Sequence, residues 1–243
     1  MSGHSKWANI KHKKGRMDAA KANATTKIAR EITIAVRMAG SDDPTGNTKL
    51  RLALQKARAS NIPKDNIQRA IQKGLGANDG ASYEEMTYEG YGVGGVAVIV
   101  ETLTDNRNRT AADVRHLFSK YGGNMGETGC VGWMFKRQGL FVVEKSTGIT
   151  EDDLMAIVLE AGAEDIVDEG EVFEIFTAPA DFESVEQALA DNKIEVASSE
   201  ISLLPDNEIT LSGEDAVKMQ KMIDALDDLD DVQEVYTNVN LED

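Results

Sequence analysis

Five cations and an indole share the first sixteen residues: Lys6, Lys11, Lys13, Lys14 and Arg16 stand among His4, Trp7, Asn9 and His12. Ammonium and guanidinium groups neutralise phosphates and release their counterions. An indole stacks on an unpaired base, and amide or imidazole groups bond base edges and sugar hydroxyls. A solubilising tail needs cations but no tryptophan, so the pattern points to contact with nucleic acid. A second group, Thr104-Asp105-Asn106-Arg107-Asn108-Arg109-Thr110, leads from an expected strand into an expected helix that Asn108 or Thr110 could cap. Arg107 and Arg109 beside a helix N-terminus would form an anion site, because free backbone N–H groups and the dipole add to their charge. The same residues equally suit a capped loop whose arginines pair with neighbouring acids.

Other chemistries find little footing. Gly90-Tyr91-Gly92-Val93-Gly94-Gly95 matches the dinucleotide fingerprint in its letters. That fingerprint needs a helix N-terminus behind it to hold a pyrophosphate. Here a strand is expected to follow, so the glycines read as a strand-to-strand turn. His4, His12 and His116 are widely spaced, and together with Cys130 they offer no metal-ligand pattern. Cys130 builds no disulfide framework and reads as an inert, partly buried thiol. The sequence shows no phosphate loop, nucleophile elbow or zinc-protease helix. The expectation is therefore no catalytic residue, no metal and no cofactor.

The charges are segregated. Across 243 residues, 42 acids against 26 bases give −16, a field that taken whole would repel phosphate. Residues 1–76, however, carry 16 bases and five acids, a net +11, whereas residues 77–243 carry 10 bases and 37 acids, a net −27. A basic head on an acidic body points to nucleic acid. The run Asp227-Asp228-Leu229-Asp230-Asp231 suits a solvated helix end, or else an acidic surface that repels nucleic acid or docks a basic protein. The longest apolar run, Gly94 to Val100, is far short of the ~20 residues of a membrane span. No apolar segment follows the basic start as a secretory signal would require. A cytoplasmic protein with no membrane partner is expected.

The elements that must position these groups indicate an α+β chain. Residues 1–17 show no hydrophobic period and read as a mobile arm. Asp18–Ala39 is expected to be a helix with Ile28, Ile32, Ala35, Val36 and Ala39 on one face and Lys27, Arg30 and Arg37 on the other. Helices over about 48–60 and from Pro63 to Gly74 complete a small helical domain, with Arg69 and Lys73 facing away from its core. After a linker at 77–82, strands at Tyr83–Tyr91 and Val96–Leu103, a helix at Thr110–Tyr121 and a strand at Cys130–Phe135 are expected. From Leu140 to Leu203 the order is β-α-β-β-α-β, the ferredoxin-like arrangement. A helix at Gly213–Leu229 and a strand at Val232–Asn238 are too few to form a core alone and are expected to complete the earlier unit. The expected domains are thus 1–77, arm and helices; 78–138 with 206–243, a discontinuous α+β sandwich; and 139–205, a ferredoxin-like domain inserted within it.

Read in order, these segments resemble the YebC/PmpR family of bacterial proteins, whose mitochondrial relatives include a translational activator of cytochrome oxidase. The likeness is carried by Gly3-His4-Ser5-Lys6-Trp7-Ala8-Asn9-Ile10-Lys11-His12-Lys13-Lys14, by Asn61-Ile62-Pro63-Lys64-Asp65-Asn66-Ile67, and by Tyr88-Glu89-Gly90-Tyr91-Gly92. Thr102 to Thr110, Gly122-Gly123-Asn124 and Trp133-Met134-Phe135 extend it, while residues 139–243 resemble the family in architecture. Ser2 and Val93 depart from the usual Ala and Pro. The resemblance implies a cytoplasmic, three-domain, non-enzymatic protein that binds DNA and regulates transcription. Some members are understood as translation factors acting on ribosomes stalled at proline-rich sequences.

The expected function is therefore a nucleic-acid-binding regulator of gene expression acting on DNA, with ribosomal RNA or the ribosome as the alternative. Its nucleic-acid contacts would be Lys6, Trp7, Lys11, Lys13, Lys14, Arg16, Lys27, Arg30, Arg37, Arg107 and Arg109. A protein partner on the acidic domains and a monomeric state complete the expectation.

Overall fold

The computed structural model describes residues 21–76 and 83–242, so the arm and the expected linker lie outside the described residues. Three helices come first: α1 (Lys21–Ala39), α2 (Thr48–Ala59) and α3 (Lys64–Leu75). Ile28, Ile32, Ala35 and Val36 of α1 close on Leu50, Ala53 and Ala57 of α2 and on Ala70 of α3, as the helical period predicts, although Ala39 is exposed. Asn47 caps α2 by accepting the Leu50 N–H at 3.1 Å. Its amide nitrogen donates to the Ala35 carbonyl at 2.8 Å and ties α2 to α1. Pro63 is the residue before α3 rather than its first. Gly74, expected at the end of α3, lies inside it: a Cβ there would stand 2.7 Å from the Thr33 carbonyl oxygen and from Val36 Cβ. Close approach of α3 to α1 is therefore the reason for a glycine at that position.

Beyond Tyr83 the period changes. β1 (Glu84–Tyr91) and β2 (Ala97–Thr104) pair antiparallel from Glu84↔Thr104 to Tyr91↔Ala97. The glycine-rich segment between them is a short 3₁₀ turn with Gly94 at φ 66° and Gly95 at φ 80°, the strand-to-strand turn expected. Next come α4 (Arg107–Lys120) and β3 (Asn124–Met125). α7 (Gly213–Asp227) and β9 (Val232–Thr237) then return from the far end of the chain, giving a sheet in the order β3-β1-β2-β9. Val96, Val98 and Val100 pack with Val114 and Phe118 of α4 and with Met219, Met222 and Leu226 of α7. The distant helix and strand thus complete this core. Short β8 (Ile209–Leu211) and β10 (Val239–Leu241), which the sequence pattern does not show, pair in parallel beside it.

The strand expected at Cys130–Phe135 is not formed before Phe135; Gly132–Met134 is a 3₁₀ turn instead. The physical reason is a side chain: the Glu89 carboxylate accepts the N–H groups of Gly129, Val131 and Gly132, so these donors are withdrawn from any ladder.

Met134–Asp206 form a second compact unit. β4 (Phe135–Glu144), α5 (Glu151–Glu160), β5 (Ala163–Asp168), β6 (Val172–Thr177), α6 (Phe182–Asp191) and β7 (Ser198–Pro205) give an antiparallel sheet in the order β5-β6-β4-β7. That order is the ferredoxin-like arrangement. Phe141 of β4 stacks on Phe182 of α6 at 4.5 Å, fixing that helix on the sheet. Among the described residues, no helix is long and apolar enough to cross a membrane.

Candidate nucleic-acid interface

The acidic run at the end of α7 has a specific task. Asp231 directly precedes β9, and its carbonyl accepts the Leu103 N–H at 2.8 Å, which places the residue against β2. The residue is buried, at 8% exposure. Arg30 Nη1 of α1 donates to Asp231 Oδ1 at 3.1 Å, and Arg109 Nη2 of α4 donates to Oδ2 at 2.7 Å. The hydroxyls of Thr110 (2.8 Å) and Thr104 (3.2 Å) also donate to Oδ2. Burial pushes the carboxyl up its titration range, but the bonds from Arg109 and Thr110, with the charges of Arg109 and Arg30, outweigh it and hold the group below its ordinary value. Asp230 takes part through its backbone, accepting from Arg30 at 2.7 Å. The carbonyl of Asp227 accepts from Lys27.

Lys27 and Arg30 of the basic face of α1 are thus directed at the acidic segment between α7 and β9. Arg30 also donates to the Leu103 carbonyl at 3.2 Å and lies over the Tyr83 ring at 5.6 Å. Lys56 of α2 bridges Glu31 of α1 (3.4 Å) and Glu234 of β9 (3.3 Å), and Lys49 pairs with Glu85 at 3.0 Å. A cleft of about 540 Å³ opens over this junction, lined by Arg30 and Arg109 and by Asp105, Asp113 and Asp228 among other residues.

In the Thr104–Thr110 segment neither Asn108 nor Thr110 is the cap. Asn106 caps α4 by accepting the Arg109 N–H at 3.1 Å. Arg109 joins Asp231 and Asp105 (2.9 Å), and both acids raise its pKa. Arg107 is exposed at the start of α4, and its carbonyl accepts from the Tyr88 hydroxyl at 3.5 Å. Arg37 is half-buried in the last turn of α1. Arg58 of α2 and Lys64, Arg69 and Lys73 of α3 are exposed. Lys6, Trp7, Lys11, Lys13, Lys14 and Arg16 lie outside the described residues.

Sequence reasoning missed two residues that organise this surface. Asp231 is one of four aspartates in five positions, and only its place immediately before a strand distinguished it. Glu89 lies in β1 on the same side as Glu85 and Thr87, where alternation suggests solvent. It is nevertheless only 6% exposed, because the 126–133 loop folds over it. Burial raises its pKa, and the three backbone bonds, at 2.9, 2.9 and 2.7 Å, together bring it below the ordinary value. Burial and the Glu89 charge push the Cys130 thiol up, which keeps it protonated.

Two successive stretches of the chain each match one family model. Residues 5–77 match the TACO1/YebC protein N-terminal domain, and residues 83–239 match the TACO1/YebC second and third domain. The chain belongs to the TACO1/YebC family. A family member from Bordetella petrii, named a probable transcriptional regulatory protein, is 57% identical, with 98% of each chain covered. One from Desulforamulus reducens with the same name is 54% identical, again with 98% of both covered. In structure, the chain is similar to a conserved hypothetical protein from Aquifex aeolicus, with a TM-score of 0.81, 41% identity and 98% of each chain covered.

Proposed function

We propose that this protein is a non-enzymatic, nucleic-acid-binding regulator of gene expression, acting on DNA as a transcriptional regulator. The observation that carries the reading is the charge division, +11 in residues 1–76 against −27 in the rest, within a family whose close relatives are named probable transcriptional regulatory proteins. The arm supplies Lys6, Lys11, Lys13, Lys14 and Arg16 for phosphates and Trp7 for stacking. Arg107 and the exposed Lys64 and Arg69 of α3 continue the footprint, and Arg37 and Lys73 do so where phosphate replaces their present contacts. Lys27, Arg30 and Arg109 join it only where phosphate displaces their present carboxylate and carbonyl partners. The acidic residues 77–243 repel a polyanion and the basic residues 1–76 attract it, so binding is directed to the head.

Binding to RNA or the ribosome is the second reading, favoured by Trp7 among the arm cations, since a base can stack on an indole only where it is unpaired. Binding to a promoter duplex and to ribosomes at the same salt separates the two. Affinity for duplex with a log–log salt slope of about −0.9 per phosphate neutralised, reduced when residues 1–17 are deleted, is the expected result. Co-sedimentation with ribosomes and no sequence preference on DNA would replace transcription with translation. Unchanged affinity and slope after the deletion would remove the arm from the site.

A further inference from the structure

We propose that the outer face of the ferredoxin-like sheet is a docking surface for residues 3–14 of this same chain, the basic arm. Phe141 of β4 turns toward α6, on which it stacks, and α5 packs on α6, so both helices take one side of the sheet. Leu140 and Val142 point to the other side. Their register partners there are Phe176 and Glu174 of β6, and Glu200 and Ser198 of β7. Val172, opposite Glu144, completes an apolar patch with Leu140, Val142, Phe176 and Ala197.

This face carries neither helix of its unit, and yet it is closed to solvent. Leu140 is 1% exposed, Val142 0%, Val172 3% and Glu174 1%. A sheet face reaches such values only beneath another packed layer. That layer must answer a charge as well as an apolar patch, because a carboxylate taken out of water needs a cation or donors beside it. Met134–Asp206 hold 4 bases against 18 acids. Lys136 is engaged by Glu164 and Lys145 by Asp168. Arg137 alternates to the helix side of β4, and Lys193 follows α6. The cations that suit this face therefore come from elsewhere in the chain.

Residues 3–14, which lie outside the described residues, match both demands. They offer Lys6, Lys11, Lys13 and Lys14 with no acid among them, and Trp7, Ala8 and Ile10 for the apolar patch. Length is no obstacle. Four strands at ~4.8 Å spacing make a face about 14 Å across, whereas a segment of this length extends to about 40 Å. The lysines that dock are those assigned to phosphate, so sheet and nucleic acid compete for the arm. That consequence rests on the nucleic-acid reading above, and the docking does not.

The chain has two tryptophans. Trp133 is 72% exposed, and its indole N–H and the Tyr91 hydroxyl both donate to the Cys130 carbonyl. The full-length Trp133→Phe protein therefore reports on Trp7 alone. At low salt Trp7 is expected to emit as a shielded indole, and to move to the red when Glu144→Gln and Glu200→Gln are added. Carbodiimide should join an arm lysine to Glu144 or Glu200 within one chain. Hydrogen exchange at Leu140 and Val142 should quicken in the full-length Trp7→Ser/Ile10→Ser protein. A promoter duplex should displace the arm, and the Glu144→Gln/Glu200→Gln protein should bind that duplex about threefold more tightly. Cross-links formed only between two chains would overturn docking within the chain and give the face to a second copy. A solvent-exposed Trp7 with unchanged exchange at Leu140 and Val142 would overturn the docking outright. A shielded Trp7 in a protein that binds neither duplex nor ribosomes would leave the docking standing and defeat the nucleic-acid reading.

Discussion

Asp231 and Glu89 are both buried carboxylates held below their ordinary titration range, and they are satisfied in opposite ways. Asp231 draws its partners from α1, from β2 and from the first turn of α4, through two arginines and two threonine hydroxyls. Glu89 bonds three main-chain N–H groups within four residues of one loop. The first arrangement joins α1 to the sheet that holds β9 and occupies the cations of Arg30 and Arg109. The second sets the shape of a loop and presents an indole to solvent. A buried acid bonded to side chains thus organises tertiary placement, whereas one bonded to backbone organises local conformation.

The largest effect should come from Asp231→Ala, which leaves Arg30 and Arg109 without their shared carboxylate and the Thr104 hydroxyl without its acceptor there. A loss of about 3 kcal/mol is expected from urea unfolding of the full chain. A loss under about 1 kcal/mol would show that solvent substitutes for the carboxylate and that the junction does not depend on it.

Glu89→Gln should cost less, about 2 kcal/mol, because it keeps the shape and one acceptor oxygen while losing the charge. Its effect should be local: faster hydrogen exchange at Gly129, Val131 and Gly132 and altered Trp133 emission, with α1 unchanged. Acid should separate both variants from the parent. Each carboxyl titrates in the folded protein below its ordinary value, 3.8 for Asp231 and 4.5 for Glu89. Their stabilisation is therefore complete above those values and is lost as the pH falls through the lowered ones. Stability measured from about pH 6 down to pH 3 should fall less steeply in either variant than in the parent. Equal slopes would mean that neither group is linked to folding.

The smallest effect belongs to Lys56→Ala. Its two carboxylate partners lie at 3.4 and 3.3 Å, and its own side chain is 39% exposed, so solvent screens the pair. A change of at most about 1 kcal/mol is expected, shrinking further in 1 M salt. A larger change would make Lys56 a support of the junction on a par with Arg30.

Much of the architecture was legible because hydrophobic period reports local geometry. The apolar spacing of α1, the β-α-β-β-α-β order after Leu140 and the glycine turn before β2 all follow from backbone preferences and one-face burial. The return of α7 and β9 to the first sheet could be inferred because two elements cannot bury a core alone. The candidate site was less legible. Lys27, Arg30 and Arg37 share a helix face, and period alone cannot say whether that face meets solvent, phosphate or the chain's own acids. Gly74 read as a terminator because its need for close packing against Val36 depends on a helix some forty residues away.

By itself, the sequence determined the charge division, the three helices, the ferredoxin-like order and the stock of cations and aromatics that could meet nucleic acid. Each is a property of composition or of neighbours within a turn or two of chain. Only the tertiary structure decided that Asp231 receives Arg30 and Arg109, that Glu89 closes a loop in place of a strand, and that Trp133 stands exposed beside Tyr91. Those outcomes depend on groups brought together from distant positions, where burial raises the cost of an unpaired charge and so selects the partners that remove it.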